Sequence, residues 1–394
     1  MQKPGTPSLL REVNDRAALE LLLASGPLTR SQLSDRTGVS KVTVSQVLAR
    51  LEERGLVMVS GEQASGRGPN AALYSVVRSS AYVAGLYVEF DQVSVAVADV
   101  TGQRVADISV DPNGADDPVG LVRAAVAAAC SAAGIGLEDL KSVVIGSPGV
   151  LDPATGAPRI AVNLPTWHGD VPDALRAVLH TPVTIENDVN LAAMAEYACA
   201  EAGAAAGVDD FAFVWLGGGL GLATVADGRV RRGASGAAGE IGWMPVHGAP
   251  LPAGNEHPSK AGLQAIAGGF AVQALGAEYG FAGATAAEVV AAAGASLEAS
   301  SSAGAAFFDE LAYRVSIGVA AVCVVLDPGL VVLGGPVGAA GGTELASRVA
   351  AAVPGLCLAR PAIVPTSVTS EPVLAGAMQA ALSQARAALL TSLA

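Results

Sequence analysis

Between Thr29 and Leu56 the sequence prescribes two short helices joined by a single glycine, a spacing that few folds accommodate. Thr29-Arg30-Ser31-Gln32 fits a capping box, in which each end's side chain satisfies a backbone donor of the other. It starts a helix expected to end at about Thr37, and Gly38 makes the turn. Ser40 can cap the next helix, expected to reach about Arg54 with Gly55 after it. There Val44, Val47, Leu48 and Leu51 recur at i, i+3, i+4 and i+7 and form one apolar face. Lys41, Thr43, Gln46 and Arg50 are expected to point away from it. A preceding helix is expected over Leu9–Ala24, with Ser8 as its N-cap and Gly26-Pro27 as its stop. Leu56 to Ser60 and Ala72 to Val76 read as two strands around a polar loop, Gly61 to Asn70. The whole is a three-helix unit with a two-stranded wing.

Such a unit has a physical use. Its third helix fits the major groove of double-stranded DNA, with residues near the helix N-terminus facing base edges. Lys41, Thr43, Ser45 and Gln46 are the candidates, with Arg50 further along. Thr29, Arg30 and Ser31, at the start of the second helix, can contact phosphate. Arg67, within Ser65-Gly66-Arg67-Gly68-Pro69, can enter the minor groove from the wing. Such units also serve as protein–protein modules, and charge helps to separate the two uses. The net charge of -13 argues against attraction of the whole chain to nucleic acid. Its distribution does not. Residues 1–78 carry 10 Lys+Arg against 7 Asp+Glu, whereas the remainder carries 13 against 29. A slightly basic head on an acidic body fits a DNA-binding module attached to a sensor.

The chain is too long, at 394 residues, for one ordinary domain. Cys130, Cys199, Cys323 and Cys357 form no C-x-x-C pair, so neither a zinc motif nor a disulfide framework is expected. Met1-Gln2-Lys3-Pro4-Gly5 has no apolar signal core. The most apolar run, Val315 to Leu326, stops at Asp327-Pro328 and is too short to span a bilayer. A cytoplasmic chain with no membrane partner is expected.

Beyond Ala81 the pattern changes. Val83 to Val100 is strand-rich and turns at Thr101-Gly102, and Phe211 to Ala226 does the same at Asp227-Gly228. Val97-Ala98-Asp99-Val100-Thr101-Gly102-Gln103-Arg104-Val105 echoes Thr224-Val225-Ala226-Asp227-Gly228-Arg229-Val230. Two strand-turn-strand units, each followed by helical segments, suggest a duplicated α/β fold with a cleft between two lobes. Pro148-Gly149 and Gly334-Gly335-Pro336 suit loops at strand ends, where α/β proteins place ligands. Ala282 to Gly304 reads as alanine-rich helix. The expected organisation is a winged helix-turn-helix over 1–78 and a body over 79–394. The body divides into lobes at roughly 79–190 and 191–375, with a C-terminal helix over 373–393.

Gly236-Ala237-Ala238-Gly239-Glu240-Ile241-Gly242-Trp243 resembles the signature of the ROK family of repressors, open reading frames and sugar kinases. Leu28-Thr29-Arg30-Ser31-Gln32-Leu33 and Gly38-Val39-Ser40-Lys41-Val42-Thr43-Val44-Ser45 resemble the winged helix of its regulators. The resemblance implies a two-lobed, actin-like sugar-kinase body. In the family a Gly-Glu-x-Gly-His run precedes a zinc-binding cysteine cluster. Here Trp243 stands at the histidine position, and Met244 to Lys260 contains no cysteine. Ala261-Gly262-Leu263-Gln264-Ala265 matches Gly-Cys-Leu-Glu-Ala, so Gly262 replaces a ligand cysteine and Gln264 a sugar-binding glutamate. His247 and His257, ten apart in a Pro/Gly-rich loop, make a poor zinc site. No metal and no cofactor are expected.

The sugar-site region resembles the family well. Ile145-Gly146-Ser147-Pro148-Gly149 leads to Asn163-Leu164-Pro165-Thr166-Trp167, and then to Glu186-Asn187-Asp188-Val189-Asn190. The resemblance implies that Asp188 matches the base for a sugar hydroxyl, and that Asn187 and Glu240 match residues holding hydroxyls. The candidate ligand set is Asn163, Asn187, Asp188, Glu240, Trp243 and Gln264. The competing reading is that Asn187-Asp188 only caps the helix that follows. The family's first phosphate turn, Asp-x-Gly-Gly-Thr, is here Tyr87-Val88-Glu89-Phe90-Asp91, bulky and acidic where phosphate would sit. The second, Gly-Thr-Gly-x-Gly-Gly-Gly, is here Gly217-Gly218-Gly219-Leu220-Gly221-Leu222-Ala223. It lacks the threonine and the last two glycines. Asp188 is then a vestigial base, and no kinase activity is expected.

These features read together as a ROK-type transcription regulator, acting as a repressor on a DNA operator. A homodimer or tetramer on symmetric half-sites is expected, and its body can sense a sugar or sugar derivative. Two alternatives stand beside it. One is an active sugar kinase carrying a DNA-binding head. The other is a ligand-independent regulator whose body only dimerises.

Overall fold

The computed structural model describes residues 7–64, 70–112, 117–160, 171–199, 203–252 and 259–393. The chain begins with α1 (Pro7–Ser25), β1 (Leu28–Thr29), α2 (Arg30–Thr37), α3 (Lys41–Glu53), β2 (Val57–Gln63) and β3 (Ala71–Val76). The capping box forms: Gln32 N donates to Thr29 Oγ1 at 3.3 Å, and Thr29 N donates to Gln32 Oε1 at 2.8 Å. Gly38 is left-handed with φ 71°, and Ser40 Oγ accepts from Thr43 N at 3.2 Å. These local bonds fix the angle at which α3 leaves α2. Leu19, Leu33, Leu48 and Leu51 meet Tyr74 and Val76 in the core beneath. α1 starts at Pro7, so Ser8 lies within its first turn and not at the expected cap. The sheet is three-stranded, in the order β1-β3-β2. The wing gains β1, whose two residues are too few to carry a sequence period.

Two five-stranded sheets follow. The first uses β4 (Tyr82–Val88), β5 (Val93–Asp99) and β6 (Arg104–Val110). After α4 (Pro118–Ala132) come β7 (Leu140–Ser147), a small hairpin of β8 (Val150–Leu151) and β9 (Pro158–Ile160), α5 (Val171–Leu179) and β10 (Val183–Asn187). α6 (Asp188–Ala198) then leads to the second sheet: β11 (Phe211–Leu216), β12 (Leu220–Ala226) and β13 (Arg229–Val230). Helices α7 (Gln264–Ala267), α8 (Gly269–Glu278), α9 (Ala286–Glu298) and α10 (Ser302–Leu326) precede β14 (Leu330–Gly334). α11 (Gly335–Ala352), β15 (Ala362–Pro365) and α12 (Pro372–Thr391) complete the chain.

The sheet orders are β10-β7-β4-β5-β6 and β13-β12-β11-β14-β15. Each places its first strand centrally, pairs the next two antiparallel, and adds the fourth and fifth parallel. The sequence echo marks the same turn in both, between β5 and β6 and between β12 and β13. The duplicated, two-lobed α/β body is thus present.

Helices α6 and α12 lie between the two sheets. Leu191, Ala192 and Ala193 of α6 join Leu374, Ala377 and Ala381 of α12 in one core with Val83, Val144, Phe211 and Phe213. Small residues permit that approach. A Cβ on Gly376 would stand 1.9 Å from the Leu191 carbonyl oxygen, so α12 can seat on α6 only with glycine there. At its far end α12 reaches the N-terminal unit. Leu389, Leu390 and Leu393 join the cluster of Ala18, Leu19 and Leu22, and Arg54 Nη1 donates to Ser392 O at 3.2 Å. One helix therefore touches both the helix that opens at Asp188 and the winged unit. Among the described residues no helix is long and apolar enough to cross a membrane.

Candidate functional site

The first candidate surface is the N-terminal half of α3. Lys41 and Gln46 are exposed there. Val42 is 71% exposed between them and was not a sequence candidate, because an apolar residue next to a helix start reads as core. An apolar side chain at this place can meet a thymine methyl group. Thr43 and Ser45 are half-buried: the Thr43 hydroxyl pairs with Ser40 Oγ at 2.9 Å, and Ser45 Oγ donates to Lys41 O at 2.8 Å. Ser31 is exposed. Arg30 is exposed and held by Tyr74, donating to its hydroxyl at 2.8 Å with the guanidinium 5.9 Å from the ring centroid. Thr29 is buried, and its hydroxyl is committed to the cap of α2. Arg67 lies outside the described residues.

Arg50 differs from expectation. Nine residues from Lys41 is half a turn out of phase on a helix, which aims Arg50 at α1. Its Nε donates to Asp15 Oδ2 at 3.0 Å and its Nη2 to the other carboxylate oxygen. Asp15 is buried, and the pair holds its guanidinium above the usual range. Arg50 fastens α3 to α1 and does not face a groove.

The second candidate region lies where α6 begins. Asp188 is its first residue, and Asp188 Oδ1 accepts from Val189 N at 2.8 Å. Burial, then the carboxylates of Glu240 and Glu89, push the Asp188 carboxyl up to about 7 against that backbone bond. Burial also raises Glu240. Glu89 is raised by burial and by Asp91, opposed by a hydrogen bond from the Tyr87 hydroxyl. The carboxylates of Glu240 and Glu89 thus lie near enough to Asp188 for their charges to act on it. Trp243, half-buried, closes the short turn Ile241–Trp243 that follows Glu240.

The raised carboxyl has a testable consequence. The native state holds a proton on Asp188 that the unfolded chain, with a pKa near 3.8, releases at lower pH. This contribution to stability is complete below about pH 4 and is lost as pH rises through about 7. Between pH 5 and 8 the parent is expected to lose on the order of 2–3 kcal/mol more than Asp188→Asn. Denaturant unfolding at the two pH values checks this; equal slopes for both proteins would contradict it.

The side-chain amides of two other candidates are bonded within the chain. Asn187 caps α6, accepting from Asn190 N at 3.1 Å through Oδ1, and donates through Nδ2 to Gly149 O at 3.0 Å. The capping alternative describes it. Gln264 is buried; its Oε1 accepts from Leu220 N at 3.0 Å and its Nε2 donates to Gly218 O at 2.7 Å. It braces the glycine turn and offers neither end of its amide to the cleft. Asn163 lies outside the described residues.

A pair that the sequence did not flag joins the lobes beside Asn187. Glu186 is buried, and its Oε1 accepts from Asn187 N at 2.9 Å and Asn190 Nδ2 at 2.8 Å. Its Oε2 accepts from Arg232 Nε at 2.6 Å. Arg232 follows β13 of the second sheet, so this ion pair crosses between sheets. A cavity of about 280 Å³ opens beside it, bordered by Asp152, Arg176, Glu186, Asn187 and Arg232. A second cavity, of about 320 Å³, opens at Gly217-Gly218 and is bordered by Gly269, Phe270, Thr285 and Pro336, with no charged side chain in its lining.

The zinc site of the family does not fit this chain. Gly262 has φ 56°, and a Cβ there would lie 2.8 Å from Gly242 O and 2.9 Å from Met244 O. A cysteine at that position would need the backbone to move. The loop ends are tied by backbone instead: Gly262 N donates to Pro250 O at 2.9 Å and Leu263 N to Met244 O at 2.8 Å. His257, half of the two-histidine arrangement, lies outside the described residues.

The model of the MarR family matches residues 13–68, over the winged unit. That of the ROK family matches residues 83–383. A xylose repressor of Caldicellulosiruptor bescii is 24% identical over 246 residues, 62% of this chain and 61% of the relative. A glucokinase of Halalkalibacterium halodurans is 32% identical over 221 residues, 53% of this chain and 65% of the relative. The chain thus spans less than two thirds of the length of these curated relatives. The solved structure of a ROK family transcriptional regulator, a homologue of the E. coli Mlc protein, superposes with a TM-score of 0.72 at 18% identity, covering 98% of each chain. The winged unit and the paired sheets thus recur together in a known structure. With its own family model matched through both sheets and across the Asp188–Glu240 region, the chain belongs to the ROK family.

Proposed function

We propose that this chain is a transcriptional repressor that binds a DNA operator through α3 and its wing and answers to a sugar or sugar derivative in the cleft. The observation that carries it is the exposed start of α3, where Lys41, Val42 and Gln46 project from a winged unit matched by the MarR family. A basic head on a body with 29 acidic residues fits that use. Relatives that share the body include a protein named xylose repressor. Asp188 and Glu240 supply acceptors for sugar hydroxyls, and Trp243 supplies a ring that can stack on a sugar face. Arg67 and Asn163 are further candidates for the DNA and sugar surfaces. The chain acts in the cytoplasm on paired half-sites.

Catalysis is not part of the reading. Phosphoryl transfer depends on positioned phosphate and neutralised charge. At the first phosphate turn Glu89 N donates to Gln92 O at 2.8 Å, so that amide is not offered to a phosphate, and Glu89 and Asp91 are acidic. The glycine-turn cavity has no lysine or arginine in its lining. The rival reading, a sugar kinase with a DNA-binding head, draws on the glucokinase similarity. A coupled assay of ATP consumption over a panel of hexoses, pentoses and N-acetylated sugars separates the two. No sugar-dependent turnover is expected. Turnover that disappears in Asp188→Asn would establish the rival.

A further inference from the structure

We propose that Cys323 and Cys357 form a redox-active dithiol, closed to a disulfide by hydroperoxides and reopened by dithiol reductants. In the sequence 34 residues separate them, and no motif pairs cysteines at that spacing. The fold brings them together. β14 and β15 run parallel with Leu330 opposite Ala362, and the two cysteines lie seven and five residues ahead of those positions. Cys323 sits in the last turn of α10, where its carbonyl accepts from Asp327 N at 2.9 Å. Cys357 follows the short turn Val353–Gly355, and its N donates to Val353 O at 3.1 Å. Cys323 and Val353 belong to one buried cluster, and Cys357 packs against it. The two thiols are in hydrogen-bonding contact. The other two cysteines are apart from them: Cys130 is buried in the core of the first sheet, and Cys199 is exposed.

The two sulfurs differ in the way a stepwise oxidation needs. Cys323 is 1% exposed, and burial, with Cys357 and Asp327 nearby, pushes its thiol up to about 11. A thiol kept protonated and away from solvent does not meet an oxidant first. Cys357 is half-buried, in a segment with neither helix nor strand, between exposed Leu356 and Leu358. Its thiol has long contacts, to Val353 O at 3.8 Å and Ala359 O at 3.9 Å, so the side chain can turn toward Cys323. Arg360 Nη1 donates to the Cys357 and Ala359 carbonyls at 2.8 Å each, which sets a positive charge in the same segment. Reactive cysteines occupy electropositive, partly exposed places of this kind. The reaction balances in two steps. The Cys357 sulfur takes one oxygen of a hydroperoxide, the O–O bond breaks, and an alcohol, or water from hydrogen peroxide, leaves a sulfenic acid behind. The Cys323 sulfur then attacks the Cys357 sulfur. The S–S bond forms, the S–O bond breaks, and the hydroxide departs with the Cys323 proton as water. The peroxide gains two electrons, and two thiols become one disulfide. In a reducing compartment such a link is transient and reports on oxidant.

No step uses DNA or sugar, so failure here leaves the regulator reading standing. The test treats the reduced full chain with hydrogen peroxide, alkylates the remaining thiols and maps tryptic peptides by mass. Cleavage after Arg314 and Arg348 puts the two cysteines in different peptides, each with no other cysteine. After peroxide, peptide 315–348 is expected to be joined to the peptide that begins at Val349, lighter than their sum by two hydrogen atoms. Dithiothreitol should separate them. Cys357→Ser should lose the link entirely. Cys323→Ser should keep only the first step, with a sulfenic acid on Cys357 that dimedone traps. Cys323 is buried, so the parent and Cys357→Ser decide the matter even if Cys323→Ser fails to fold. Recovery of parental Cys357 as a free thiol, as a sulfinic acid, or linked to another copy of the chain would overturn the proposal.

Discussion

In Asp188→Ala and Glu240→Ala, operator affinity without ligand is expected to stay within about twofold of the parent, while the response to the effector sugar is lost. A hydrogen bond contributes about 0.5–1.5 kcal/mol to a neutral carboxyl and about 1.5–3 kcal/mol to an ionised one, so each truncation should weaken sugar binding by roughly two- to a hundredfold, and more above pH 7, where Asp188 ionises. An effector shifts an equilibrium only by its differential affinity for the two states, so a weakened contact removes the shift without disturbing the head. The physical route is short. Asp188 opens α6, α6 packs on α12, and the last turns of α12 join the core of the winged unit. Fluorescence anisotropy of labelled operator DNA, titrated with the sugar panel, checks this. Full response in both variants would make the body a scaffold and not a sensor.

Lys41→Ala and Gln46→Ala are each expected to weaken specific operator binding by roughly 1–3 kcal/mol, about five- to 150-fold, and to relax preference at one base position. Arg50→Ala should behave differently. It leaves buried Asp15 without its partner, so the expected loss is on the order of 3 kcal/mol of stability, with DNA affinity falling only as the head unfolds. Mobility shifts on single-base operator variants, paired with thermal melts, distinguish the two behaviours. If Arg50→Ala melts like the parent but loses operator binding, α3 faces the duplex in another way.

The local signals in the sequence carried far. The capping box at Thr29, the turn at Gly38 and the cap at Ser40 are short-range bonds written in adjacent residues, and each forms. The echo of Thr101-Gly102 and Asp227-Gly228 marks one turn in two sheets, because a duplicated topology repeats its tightest corners. Partnerships across long stretches of sequence were not legible. Arg50 meets Asp15 across 35 residues, Gln264 reaches Gly218 across 46, and Arg232 reaches Glu186 across 46. Nothing near any of these residues distinguishes a side chain that will be bonded inward from one that faces a ligand. Asn187 shows the limit most clearly. Capping and sugar binding ask for the same amide at the same helix start, and only the Gly149 carbonyl, 38 residues away, shows how it is used.

Whether the winged head reads DNA is decided by capture of genomic fragments from the source organism with the purified full chain at physiological salt. Enrichment of an inverted repeat bound at about nanomolar affinity is expected, with binding that falls steeply as salt rises, because phosphate contacts release counterions. A chain carrying Lys41→Ala and Gln46→Ala together should enrich no repeat. Capture of no common sequence by the full chain, or equal enrichment by the doubly substituted one, would contradict it.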